Sequence, residues 1–259
     1  MIDMNSLSKP ESRPFHMTLV GEGGMGKTTL AAMMPNPVII RTEDGSASLV
    51  GKDTAMFPLA TTTQEIFDTI EFLATNDHDF KTLVIDSVTQ LHTLIESEIV
   101  AKDPKATSIN TAMGGFGAGY TAASEVHRKI RAWCGSLSQA KNMNIVYIAH
   151  ADTETVDLPD SDPYTRYTLR IHKKSVTHYS DNVDLIGYIK LRTYTSGGND
   201  KNRKATTDGS RIITCYPTPS HISKNRFGIT EDIVFDINTN PFTGVIPTLP
   251  ALPTGDKNV

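Results

Sequence analysis

Four short and almost unbroken apolar runs punctuate the chain: Phe15-His16-Met17-Thr18-Leu19-Val20, Pro37-Val38-Ile39-Ile40-Arg41, Thr82-Leu83-Val84-Ile85-Asp86 and Asn144-Ile145-Val146-Tyr147-Ile148-Ala149. Runs of this kind suit parallel strands covered on both faces. Between them the spacing of apolar residues becomes helical. Thr29 to Met34 predicts a first helix, and Ile66, Ile70, Phe72 and Leu73 predict a second over Thr63 to Thr75. Leu91, Leu94, Ile95 and Ile99 predict a third over Val88 to Lys102, and a fourth spans Tyr120 to about Asn142. Strands alternating with helices build a doubly wound, mostly parallel α/β sheet, with ligands at the carboxyl ends of the strands.

Beyond Ala151 the segments shorten. Asp184 to Thr193 and Arg211 to Tyr216 read as strands joined by the polar loop Ser196 to Gly209, antiparallel additions to the sheet edge. These patterns divide the chain into an N-terminal arm (1–14), an α/β domain (15–237) and a tail (238–259). The tail, with Pro241, Pro247, Pro250 and Pro253 among Gly and Thr, reads as disordered.

The loop between the first strand and first helix carries the most specific chemistry. Gly21-Glu22-Gly23-Gly24-Met25-Gly26-Lys27-Thr28-Thr29 fits G-x-x-x-x-G-K-[ST]. Glycines let backbone N–H groups curl around a phosphate chain, because no Cβ blocks the dihedrals this needs. In such a loop Lys27 reaches the β- and γ-phosphates of ATP, and the Thr28 hydroxyl sits on Mg²⁺. Asp86 closes an apolar strand where P-loop enzymes place the acid that orients Mg²⁺, the alternative being a cap for the next helix. Glu43, just past the second strand, is placed to orient or deprotonate an attacking water, and Asp44 is the alternative, or else makes a turn before Gly45. His150 ends the fourth run on the same side, either touching the γ-phosphate or simply hydrogen-bonded. Lys224 and Arg226, one residue apart, point the same way on an extended strand and are placed to act across a subunit edge on a neighbour's nucleotide. The alternative for them is a surface charge pair.

Composition narrows the setting. At 259 residues, 38% hydrophobic and 21% charged, the chain is an ordinary globular one. No apolar run reaches the roughly 18 residues of a membrane span, so no membrane role is expected. Met1 to Arg13 is unlike a secretory signal. Cys134 and Cys215 form no C-x-x-C pattern, which points to buried thiols in a reducing, cytoplasmic setting. The net charge of −4 hides an asymmetry. Between Thr165 and Arg226 there are twelve Lys/Arg against four acids. Such a basic segment implies a polyanion surface, an acidic neighbouring subunit or a solvated face.

Taken together, "IIRTEDG" with Glu43, "TLVIDSV" with Asp86, "NIVYIAH" with His150, "KNR" at 224–226 and the P-loop resemble RecA-like P-loop ATPases over residues 15–236. More narrowly, the chain is similar to small phage-encoded members grouped with single-strand annealing and recombination proteins. The resemblance implies ATP hydrolysis with Glu43 as base, and an oligomeric ring or filament. His150 stands where RecA itself carries Gln as the sensor. KaiC- and DnaB-like relatives place a Lys-x-Arg pair across the subunit interface, matching Lys224 and Arg226.

The resemblance further implies single-stranded DNA binding through two loops, here Asp103 to Tyr120 and Ala151 to Tyr164. Phe116 and Tyr120 would stack bases, while Arg166, Arg170, Lys173 and Lys174 would supply charge that the acidic second loop lacks. The expected activity is a DNA-stimulated ATPase in phage recombination, repair or replication, inside the bacterial host. Alternatives are a nucleotide-gated ATPase that meets DNA only through a partner such as a single-strand-binding protein, and a P-loop small-molecule kinase with 196–211 as an Arg-rich lid.

Overall fold

The computed structural model describes residue 9 and residues 11–196 and 204–249. Six strands run parallel in the order β7 (Leu185–Ser196), β1 (His16–Gly21), β5 (Asn144–Val156), β4 (Thr82–Asp86), β2 (Pro37–Arg41) and β3 (Ala55–Leu59). Beyond β7 the sheet continues antiparallel through β8 (Lys204–Thr214) and β10 (Ile233–Phe235), while β9 (Lys224–Asn225) pairs with the start of β7. This is a P-loop nucleotidase fold of the expected class. Every residue of β1 and β4 is buried, which explains their unbroken apolar character. The edge strand β3 is half-exposed, contains Pro58 and gave no such signal.

Helices α2 (Thr63–Thr75), α3 (Val88–Ala101) and α4 (Ala118–Lys141) cover one face, packing Ile66, Leu91, Ile95 and Ile130 against Leu83, Ile85 and Ile145. Thr62 and Glu65 start α2 with reciprocal side-chain-to-backbone bonds, a capping box. The other face is covered by the short helix α1 (Lys27–Ala31) and by the chain end, where Phe242, Ile246 and Leu249 are buried beside Leu30 and Met34. Residues 238–249 of the expected disordered tail are therefore anchored to the core through Phe242, Ile246 and Leu249, three apolar side chains that outweigh the proline-rich composition. The rest of that segment, and positions 1–8 and 10 of the expected arm, lie outside the described residues.

Two other expectations change. The segment expected as an acidic loop, Ala151 to Tyr164, is largely a hairpin in which β5 runs on to Val156 and pairs with β6 (Tyr164–Leu169). Away from its base, where Ala151, Thr168 and Leu169 are buried, its side chains are partly or fully exposed, so no hydrophobic pattern marks it. The polar 196–209 loop is likewise shortened, because Thr193 to Ser196 pair with Lys204 to Thr207. That ladder holds its described part as a hairpin and not as a free lid. Positions 197–203, with Lys201 and Arg203, lie outside the described residues.

Beneath the sheet a buried polar chain links α3, α4 and α5 (Lys173–Ser180). The backbone N–H of His172 donates to His92 Nε2 (3.1 Å), His92 Nδ1 meets His127 Nε2 (2.9 Å), and His127 Nδ1 meets Tyr179 Oη (2.7 Å). His92 Nε2 also lies 3.0 Å from Glu96 Oε1, so the chain of rings ends on a backbone N–H and a carboxylate. Both rings are neutral. Burial, with His172 adding, lowers His92 to about 4, and burial with His92 beside it holds His127 well below the usual imidazole range.

Unfolded rings take up protons near pH 6.5, whereas these do not until about pH 4 in the case of His92. Stability therefore falls as pH drops through that window, by up to about 1.4 kcal/mol per pH unit for each ring. Urea unfolding of wild type and His127→Phe between pH 7 and 4.5 measures it, and the variant is expected to show the shallower dependence. Equal slopes would rule the histidines out as its source.

Candidate functional site

The carboxyl ends of the central strands meet in register. Gly21 of β1 lies opposite His150 of β5 and Ile189 of β7, and Asp86 of β4 lies opposite Arg41 of β2 and Ile148 of β5. Above them opens a cleft of about 340 Å³. Gly23, Gly24, Gly26, Lys27, Thr28 and Thr29 form one wall, and Glu43, Asp86 and His150 form another.

Two glycines are required by geometry. A Cβ on Gly21 would stand 2.7 Å from the Ile189 carbonyl oxygen of β7. Gly26 caps α1 at φ 91°, a left-handed conformation, and a Cβ there would stand 3.0 Å from the Phe235 ring.

Lys27 is buried, and its Nζ donates to the carbonyls of Gly21 (2.8 Å) and Glu22 (2.7 Å) at the mouth of the loop. Burial lowers it to about 8, against the pull of Asp86 and Glu43. Asp86 is buried too, and its Oδ2 accepts from Thr28 Oγ1 at 2.7 Å. The cap of α3 is Ser87, whose hydroxyl accepts from Gln90 N, so Asp86 is not consumed by capping.

The residues fit a magnesium ion. Asp86 Oδ1 is buried without a hydrogen-bond partner, and burial pushes the carboxyl above its usual range despite the Thr28 bond. A hard cation beside Asp86 and the Thr28 hydroxyl would relieve both. Among the described residues no group of three or more His, Cys, Asp or Glu could hold a metal. Mg²⁺ needs none, since one or two carboxylates with substrate phosphates suffice.

Glu43 and His150 are brought together. His150 Nε2 lies 3.1 and 3.3 Å from the two Glu43 oxygens, and this hydrogen bond is the main reason the Glu43 carboxyl falls below its usual range. The loop carrying Glu43 is anchored by Thr42, whose N–H donates to the Asp86 carbonyl and whose Oγ1 bonds both to the Ser87 carbonyl and to Ser87 N. Asp44 turns outward, 3.7 Å from Arg41 Nη1.

Lys224 and Arg226 lie elsewhere. Arg226 Nη1 is 2.9 Å from Asp184 Oδ1, a carboxylate that also accepts from Arg13 and from His16 N at the start of β1. That is the far end of β1 from Gly21, about 17 Å of strand away. Lys224 Nζ donates to the Asp181 and Ser180 carbonyls. The pair thus does not line its own chain's cleft.

The DNA candidates separate into two groups. Phe116 is fully exposed, Tyr120 stacks on His172 (centroids 3.8 Å apart), and Lys174 Nζ donates to the Gly117 carbonyl and Thr121 Oγ1. These three, with Lys173 beside Lys174 in the chain, share one surface. Arg166 instead pairs with Glu154 on the hairpin (2.7 Å), and Arg170 Nε donates to the Ala151 carbonyl. The basic segment is therefore not one patch. Among the described residues Arg166, Arg170, Lys174, Lys224 and Arg226 bond to separate partners, because the topology carries them to different edges.

Residues 13–227 match a family described as an AAA domain. The chain belongs to that family. Comparison with curated proteins finds no match. As an AAA domain the chain is an ATP-binding P-loop ATPase, in agreement with the cleft. Among the described residues no helix of this AAA domain is long and apolar enough to cross a membrane. The cleft also contains Arg211, Ser48 and Ile237, none of which the motif indicated. Arg211 was legible as the start of a strand, as one cation in a basic segment and as the end of the alternative lid, but not as a neighbour of the P-loop. The β7–β8 pairing is what returns it to the P-loop.

Proposed function

We propose that this AAA-domain protein hydrolyses ATP with Mg²⁺ and couples the cycle to single-stranded DNA, as an oligomer, in phage recombination, repair or replication. The observation that carries the hydrolytic reading is the convergence of Lys27, Thr28, Asp86, Glu43 and His150 on one cleft. Lys27 exchanges the loop carbonyls for phosphate oxygens, with charge-assisted bonds replacing neutral ones. Mg²⁺ at Asp86 and Thr28 would neutralise charge on the terminal phosphates. Glu43, ionised and oriented by His150, accepts a proton or hydrogen bond from the attacking water.

The DNA reading rests on a short path from that site. The His150 carbonyl accepts from Arg170 N, and two residues later His172 stacks on Tyr120 and donates to the buried His92. A shift of His150 on loss of the terminal phosphate is thereby passed to the surface of Phe116, Tyr120 and Lys174. Lys224 and Arg226 would act on a neighbouring subunit's nucleotide, with Arg226, whose side chain is 54% exposed, exchanging Asp184 for phosphate.

A second reading is favoured by the hairpin, where Glu154 neutralises Arg166 and Asp152 is exposed. Such a face suits a basic protein better than DNA, so the ATPase would act through a partner such as a single-strand-binding protein. ATP turnover measured with and without single-stranded DNA across a salt series separates the two. Direct binding predicts stimulation that fades as salt rises. Indifference to DNA at every salt concentration would remove the first reading and leave the partner-gated one.

A further inference from the structure

The cleft contains a cation that neither the motif nor the family match assigns. Arg211 lies on β8, opposite Leu191 of β7 and Phe235 of β10. Immediately before it the β7–β8 ladder changes register: Leu191 faces Arg211 but Thr193 faces Thr207, so β8 advances four residues where β7 advances two. Gly209, at φ 81°, lies within the irregularity. Bulges of this kind re-aim a side chain, and here the strand delivers Arg211 to the same cleft as Lys27, Thr28 and Glu43. On its other side Phe235 packs against Gly26 of the P-loop, so the arginine and the loop are held as one unit.

Arg211 is also unsatisfied. Its Nε is buried with no hydrogen-bond partner, and among the described residues no carboxylate lies within ion-pair distance. A guanidinium nitrogen removed from water and left unpaired is unfavourable, its planar fork matches phosphate as well as carboxylate geometry, and the cleft it enters is walled by the phosphate loop. Arg226 offers the contrast, being paired with Asp184 at the opposite end of the sheet.

We propose that Arg211 binds the polyphosphate of the nucleotide in cis, so that each protomer supplies its own arginine beside Lys27. The assignment rests on the nucleotide reading of the cleft and adds to it a residue whose contact is with phosphate and not with the nucleoside. It also ties the bound phosphates to the β7–β8 hairpin.

The test measures affinity of wild type, Arg211→Ala and Arg211→Lys for two probes by calorimetry, each with Mg²⁺: a non-hydrolysable ATP analogue and inorganic tripolyphosphate. In the alanine variant both probes are expected to weaken about 10- to 100-fold, the range for a lost charge-assisted hydrogen bond. The lysine variant recovers part of that loss, because charge is kept but the fork is not. Should Arg211→Ala fail to fold by thermal melting, the lysine variant alone decides, with both probes expected to weaken about threefold or more. Tripolyphosphate binding within twofold of wild type in a folded variant overturns the assignment, whether or not the ATP analogue weakens. A loss that appears only at high protein concentration overturns it too, because it places the arginine in a neighbour's site. If wild type binds neither probe, the nucleotide reading itself fails, and that outcome is distinct because it does not depend on the variant.

Discussion

Lys27→Ala is expected to abolish ATP turnover, lowering the rate by at least about a thousandfold, or some 4 kcal/mol of transition-state stabilisation. The buried ammonium is the cation that the phosphate loop itself supplies, bonded to its Gly21 and Glu22 carbonyls, and the glycine backbone cannot replace it. Folding should survive. Nζ bonds only to the Gly21 and Glu22 carbonyls; Glu22 is exposed and can turn to water, so the loss is confined to the buried Gly21 carbonyl, about 1–3 kcal/mol at most. A thermal melting midpoint within a few degrees of wild type, together with no phosphate release above background, is the expected pair of results. Normal turnover by Lys27→Ala would mean that the cleft is not the site of hydrolysis.

Lys27 also sets a pH limit on binding. Burial lowers it to about 8 before phosphate arrives. Below that pH the ammonium is charged and ready for an anion. Above it the side chain is neutral and must take up a proton as nucleotide binds, so affinity falls by up to about tenfold per pH unit above pH 8. Lys27→Ala removes this limb along with most of the affinity.

How far such residues could be read in advance depended on which physical signal marked them. Strands β1, β2, β4 and β5 announce themselves because both faces are covered, so nearly every side chain is apolar. The P-loop, Asp86 and Glu43 follow from those strands, since each stands at a predictable carboxyl end. His150 was placed equally well, but its partner was not, because the bond to Glu43 joins residues 107 positions apart. The β5–β6 hairpin stayed hidden, because beyond its buried base its residues are partly or fully exposed and mostly polar. Phe242, Ile246 and Leu249 were masked by surrounding prolines, although their spacing of four and three residues matches the turn bonds seen there. Arg211 was marked locally only as the start of a strand within a basic segment, with no sign that it faces the P-loop. Its position follows from a bulge and an antiparallel return, both of them tertiary facts.

Glu43→Gln is expected to lower turnover by about 10²- to 10⁴-fold, the usual cost of losing a positioned base, while leaving nucleotide affinity nearly intact. The substitution is isosteric and its amide oxygen still accepts from His150 Nε2, so the loop anchored by Thr42 keeps its place. What disappears is the negative charge that draws a proton from water. Affinity should tighten slightly if it changes at all, because Glu43 no longer repels the incoming phosphates. Asp44→Asn, directed at the carboxylate beside Arg41 outside the cleft, is expected to turn over at the wild-type rate.

His150→Ala tests the same arrangement from the other side. The His150 hydrogen bond is the largest influence holding Glu43 below the usual carboxylate range. Wild type therefore keeps its base ionised as pH falls, and the acid limb of its rate profile lies low. Without the imidazole that limb moves to higher pH, toward the ordinary glutamate value. A Glu43→Gln enzyme with wild-type kcat would exclude Glu43 as the base. An acid limb unmoved in His150→Ala would show instead that the two residues meet in the cleft without the histidine tuning the acid.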